Sequence, residues 1–177
     1  MQIGDYTVST LKVSTFALDG GAMFGIIPKP LWSRKTLADN RNRIDLAARC
    51  LLIQDSERNI LVDTGMGDKW ESKYRDIYKI DYETVSLKNS LQQKNLTPDD
   101  ITHVILTHLH FDHAGGATKY DGDEIVPAFP NAVYYVQENN WNWANNPSEK
   151  DAGSYLEQDF QPLKQHGLLE LVDGSEA

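Results

Sequence analysis

Thr107-His108-Leu109-His110-Phe111-Asp112-His113-Ala114-Gly115-Gly116 gathers three of the chain's five histidines beside an aspartate. On an extended backbone, alternate side chains point the same way about 6.6 Å apart, at roughly 3.3 Å per residue. His108 and His110 can therefore converge on one ion. Asp112 continues that face, whereas His113 points away unless the chain turns, and Gly115-Gly116 supplies freedom for a turn. Imidazole nitrogens with one carboxylate suit zinc, iron, manganese or cobalt better than magnesium or calcium, which prefer oxygen shells. Structural zinc sites are usually built around thiolates, so a cluster without cysteine points to hydrolytic or oxygen-handling chemistry. Four ligands on one short peptide can hardly wrap a single ion tetrahedrally, and two neighbouring ions sharing a water is the better geometry. The bland alternative is a histidine-rich surface turn, which the density of ligand types beside paired glycines disfavours.

Working outward, residues 101–106 form a β-rich run that reads as a central strand, preceded by Thr97-Pro98-Asp99-Asp100, a capped helical turn. Residues 46–54 and 59–62 predict a hairpin buried on both faces, leading into the glycine-rich turn Asp63-Thr64-Gly65-Met66-Gly67. Residues 6–13 alternate polar and apolar side chains, residues 16–18 continue that strand, and Asp19-Gly20-Gly21 signals a turn. A long loop over residues 22–43 follows. Residues 83–94 have the pattern of an amphipathic helix. Farther on, 132–136 reads as a strand, 137–144 and 155–165 as helices, the second ending at His166-Gly167, and 168–172 as a strand. Strands followed by alternating helices and strands indicate a layered α/β architecture, and without a repeat or low-complexity linker the chain reads as one domain.

The 177 residues hold 17 Lys and Arg against 26 Asp and Glu, a net charge of −9. A field of that sign opposes nucleic acid and anionic membranes as partners and disfavours a polyanionic substrate. Hydrophobic residues at 40% and charged residues at 24% are ordinary globular usage. The best apolar run, residues 46–53, is broken by Arg49 and falls far short of the roughly 20 residues a membrane span needs. The first residues lack the basic and apolar regions of a secretory leader. The single cysteine, Cys50, cannot form an internal disulfide; in its apolar surroundings it reads as a packing residue, and a cytoplasmic location is expected.

His108-Leu109-His110-Phe111-Asp112-His113, framed by residues 101–107 and Gly115-Gly116, resembles the His-x-His-x-Asp-His signature of the metallo-β-lactamase superfamily. Asp99-Asp100, Leu61-Val62-Asp63-Thr64-Gly65 and Phe16-Ala17-Leu18-Asp19-Gly20-Gly21 are similar to segments of its relatives and suggest the branch that includes N-acyl-homoserine lactonases. The resemblance implies an α/β fold, the metallo-β-lactamase-like αββα sandwich, with metals held in loops at one edge of the paired sheets. It implies His108 and His110 on a first metal and Asp112 and His113 on a second, with zinc expected and iron, manganese or cobalt as alternatives. Relatives complete the shells with a third His in a Pro-Gly-His turn, a bridging Asp and a last His. Here the only later histidine, His166, sits at a helix end, and Asp173 lies in a polar tail over residues 173–177. Residues 1–177 are therefore expected to be the N-terminal half, or slightly more, of a longer enzyme.

Among the remaining residues, Asp63 reads either as the acceptor that orients a ligand histidine or as an Asx turn over Thr64-Gly65. Met23, Phe24 and Trp32 are candidates for an apolar wall recognising an acyl chain, with loop anchoring as the alternative. His103, Phe111, Trp141, Trp143 and Tyr155 read as packing or surface residues. The expected activity is attack on a lactone or ester carbonyl by water whose pKa the metal lowers to about 7, with the catalytic Asp112 orienting that water and passing its proton to the leaving group. Thioester hydrolysis as in glyoxalase II, phosphodiester cleavage, oxygen chemistry at iron, or a catalytically silent metal-binding piece are the alternatives. The expected partner is a small molecule, and a homodimer is allowed.

Overall fold

The computed structural model describes residues 1–174. A short β1 (Gln2–Ile3) borders β2 (Tyr6–Asp19), which pairs antiparallel with β3 (Arg43–Gln54). The register shifts between Lys12 and Ser14, so the alternation that lapses at Val13 marks a bulge within one long strand rather than the end of a strand. Asp19-Gly20-Gly21, expected as a turn, instead opens a helix: the Asp19 carboxylate accepts from the Ala22 amide at 2.8 Å and caps α1 (Gly20–Phe24). The long loop thus carries α1 and a second short helix, α2 (Lys29–Trp32).

Antiparallel β4 (Asn59–Val62) completes the predicted hairpin. After α3 (Ser72–Tyr78) and α4 (Leu87–Gln92) comes the central strand β5 (His103–Ile105), parallel to β4. Then α5 (Phe111–Ala114) and the β6–β7 hairpin (Thr118–Asp121, Glu124–Pro127) precede β8 (Val133–Gln137), parallel to β5. Finally α6 (Glu138–Asn145) and α7 (Glu157–Gln165) lead to β9 (Leu169–Val172). The main sheet has seven strands in the order β1-β2-β3-β4-β5-β8-β9. Its parallel half needs crossover connections, and these supply the helices.

Register explains where the core sits. Cys50, Leu52, Leu61, Val104 and Tyr134 lie on one face of paired strands, are buried, and share one apolar cluster with Leu91, Trp141, Phe160 and Leu163 of the helices. Leu51, Ile53, Ile60, Val62, Val133 and Tyr135 on the other face are only half-buried, and Ile105 beside them is exposed. Among the described residues, the helices cover one face of the hairpin and leave the other half-buried. The helix expected over residues 83–94 shortens to α4 because the Ser86 hydroxyl accepts from the Asn89 amide and sets the start later. Cys50 is buried, and desolvation pushes its thiol well above the usual range, consistent with packing. The polar tail lies partly outside the described residues, at 175–177.

Candidate metal centre

Parallel pairing of Val62 with Ile105 brings the ends of β4 and β5 out side by side at one edge of the sheet. The Asp63 amide donates to the Ile105 carbonyl at 2.9 Å, and Asp63 adopts φ +59°, a left-handed conformation that aspartate tolerates better than most residues. Its carboxylate then faces the second turn. Oδ1 accepts from the Thr107 amide at 2.9 Å, both oxygens lie 2.9 Å from the Thr107 hydroxyl, and Oδ2 lies 2.8 Å from His113 Nδ1. Asp63 thus reaches across to the ligand turn, not to Thr64-Gly65.

The chain leaves β5 before the histidines. His110 is extended, with φ −66° and ψ 151°, and precedes the helical turn α5, which carries Asp112 and His113. That helical turn, rather than freedom at Gly115-Gly116, brings His113 back toward His108. Gly115 has an ordinary helical φ of −57°. The glycines are required for space: a Cβ on Gly115 would lie 2.3 Å from the Met66 carbonyl oxygen, and one on Gly116 2.4 Å from that of Thr64. The Thr64 amide and hydroxyl, at 2.7 and 2.9 Å from the His113 carbonyl oxygen, and the Gly116 amide, 3.0 Å from that of Gly65, join the two turns.

Ring centres of His108 and His110 are 4.6 Å apart, and those of His108 and His113 are 4.0 Å apart. Two imidazoles on one tetrahedral ion, with metal–nitrogen distances of about 2.0–2.1 Å, would have ring centres about 5 Å apart. With Asp63 at Nδ1, His113 keeps its proton there and turns the Nε2 lone pair toward Asp112 Oδ2, 3.5 Å away. Donors bound tetrahedrally at about 2.0–2.2 Å are about 3.4 Å apart, so this pair fits a shared ion. The fit is in donor chemistry and pair spacing; among the described residues, no group of three or more His, Cys, Asp or Glu side chains is arranged to hold an ion.

Electrostatics follow the same contacts. Burial, then the neighbouring His113 and His110, depresses His108 below the ordinary imidazole value. The Asp63 hydrogen bond raises His113 despite its burial. Burial by itself would raise Asp63, but hydrogen bonds from His113 and Thr107 outweigh it and hold the carboxyl low.

Several partners of the cluster are illegible in the sequence because they come from distant segments. The Leu109 amide donates to Asn140 Oδ1 on α6 at 3.0 Å, and Tyr155 sets its ring at 4.6 Å and 70° to His110 rather than only packing helices. Lys69 and Asp159 are buried beneath the ligand turn. Asp63 and Thr107 were legible, the first as a candidate acceptor and the second as part of the quoted stretch. Phe111 is buried against Trp70 and Tyr78, while His103 stacks on Tyr135. Trp141 packs on Phe160, and Trp143 is exposed. His166 caps the end of α7.

Residues 43–50 of β3 run beyond the Leu51–Val62 pair, so the α1–α2 loop lies past the same sheet edge as the ligand turns. Within it Trp32 is buried, stacked on Phe24 at 4.9 Å, and so close that a Cβ on Gly20 would come within 2.5 Å of its ring. Met23 is exposed and Phe24 half-buried.

The sequence profile of the metallo-β-lactamase superfamily matches residues 43–174. The chain belongs to that superfamily, as the sheet, the turns and the histidine stretch together indicate. Among its relatives, an N-acyl homoserine lactonase of Bacillus cereus is 31% identical over 94 residues, 48% of this chain and 38% of that protein. The N-acyl homoserine lactonase AiiB of Rhizobium rhizogenes is 41% identical over 104 residues, 52% of this chain and 37% of that protein. The crystal structure of a probable metal-dependent hydrolase from Staphylococcus aureus superposes with a TM-score of 0.86 at 35% identity, covering 98% of this chain and 61% of that one. The matched stretch thus spans less than two fifths of the length of these lactonases, and the chain about three fifths of the hydrolase.

Proposed function

We propose that residues 1–177 act as one metallo-β-lactamase-like domain contributing metal ligands to a hydrolase that opens a lactone or related ester of a small molecule. In this reading His108 and His110 serve one zinc ion, and Asp112 and His113 a second. The observation that carries it is the Asp63–His113–Asp112 chain, in which the Asp63 carboxylate lies 2.8 Å from one nitrogen of the imidazole and Asp112 Oδ2 lies 3.5 Å from the other. The lactonase relatives support the lactone over other esters. When bound, the metal lowers the pKa of water and polarises a carbonyl.

The chain's own residues do the rest. Asp63 fixes the tautomer of His113, and Asp63 and Asn140 hold the backbone on either side of His108 by accepting from the Thr107 and Leu109 amides. Asp112, through the carboxylate oxygen that the ion would leave free, would take the proton of the attacking water and return it to the leaving oxygen. Met23 and Phe24, backed by the buried Trp32, line the acyl side. A net charge of −9 suits a neutral lactone better than a polyanion.

The test is elemental analysis of the protein carrying this chain, together with an N-acyl homoserine lactone hydrolysis assay. Two ions and turnover, both lost in His108→Ala/His110→Ala, are expected. One ion or none with no turnover would leave the catalytically silent metal-binding reading.

A further inference from the structure

Lys69 and Asp159 form an ion pair at 3.1 Å with both side chains 2% exposed, directly under the ligand turn. An ammonium has three protons to donate. Here Lys69 Nζ finds three acceptors: Asp159 Oδ1, the Thr118 carbonyl at 2.9 Å and, at very short range, the Gly115 carbonyl. Gly115 follows the α5 turn bearing Asp112 and His113, and Thr118 ends the 3-10 turn after it.

Elimination points away from a stability role. Burying two charges costs several kcal/mol per ion, and apolar replacements of similar volume are often neutral or stabilising. This pair is also imperfectly satisfied, since Asp159 Oδ2 is buried without a hydrogen-bond partner. What an apolar pair could not do is hold two backbone carbonyls at fixed positions. The placement is suggestive too. Lys69 follows the turn that supplies Asp63, while Asp159 sits in the first turn of α7, shortly after Tyr155, whose ring abuts His110. The Thr118 hydroxyl donates to the Gln158 carbonyl at 2.8 Å, anchoring the same junction.

We propose that the buried Lys69–Asp159 pair is a positioning clasp for the ligand turn, holding the Gly115 and Thr118 carbonyls so that Asp112 and His113 present their donors together. The proposal rests on the reading that this turn binds metal. Neither residue is catalytic; both act through the backbone of the turn.

Cobalt(II) titration of the whole protein that carries this chain, read by its visible d–d bands, with thermal melting alongside, tests it. Wild type should bind cobalt and show the bands; no binding by wild type would overturn the metal reading and the clasp with it. The double variant Lys69→Met/Asp159→Leu should melt near the wild-type temperature yet bind cobalt on the order of tenfold to a hundredfold more weakly, with altered bands, the loss typical when groups orienting a ligand are removed. Unchanged affinity and bands would overturn the clasp while leaving the metal site standing. Should the double variant not fold, Lys69→Met, which removes both carbonyl contacts and leaves an Asp159 that can take up a proton and stay neutral, is read the same way: weaker binding with changed bands supports the clasp, and wild-type bands refute it.

Discussion

At Asp63, one carboxylate takes the Thr107 amide and hydroxyl and faces His113 Nδ1. Asp63→Asn keeps the shape but removes the charge and one acceptor, so zinc affinity should fall about tenfold to a hundredfold in a chelator competition, as for other groups that orient ligand imidazoles. An unchanged affinity would reduce Asp63 to a turn residue. At Asp39 the expectation concerns acid stability. Hydrogen bonding from the Arg43 amide, and then its side chain, holds this carboxyl at about 2. Because the folded value lies below the ordinary 3.8, its contribution is fully present above that value and is lost as pH falls through about 2. Urea midpoints taken from pH 6 to pH 2 should therefore decline less steeply in Asp39→Asn than in wild type. Equal slopes would show that the Asp39–Arg43 contact has no net worth. The histidine cluster was legible because its spacing is local; Asn140, Lys69 and Asp159 were not, since a lone amide or charge announces no partner far along the chain.

Among the elements, α4 shows how a side chain overrides a periodic pattern. Its Ser86 cap confines the helix to Leu87–Gln92, with Leu91 fully buried against the sheet. Ser86→Ala should lower the unfolding free energy by about 1 kcal/mol, measured by urea titration. A change under a few tenths would mean that packing of Leu91, not the cap, sets the helix start. Strands β3, β4, β5 and β8 and the capped 3-10 turn at Pro98–Asp100 followed from alternation, β-branched runs and a Thr-Pro pair. Helix α3 and the β6–β7 hairpin did not, because residues 66–82 and 117–128 mix charged and aromatic side chains without a clear period.

For the whole molecule, the asymmetry of the sheet is the testable quantity. Leu61 is fully buried under the helices, while its neighbour Ile60 points to the half-open face. Leu61→Ala should cost about 2–5 kcal/mol, and Ile60→Ala well under half of that, in parallel denaturant titrations. Equal losses would mean that both faces are packed alike. The sequence by itself determined the histidine cluster, the main strands and the superfamily, because motif spacing and period-two alternation act over a few neighbouring residues. Only the tertiary structure decided which sheet face packs under the helices, why Gly115 and Gly116 must lack a Cβ, and which buried residues contact the histidine turn from behind. Those depend on strand register and on contacts such as Lys69–Asp159, where burial joins residues that the chain keeps far apart.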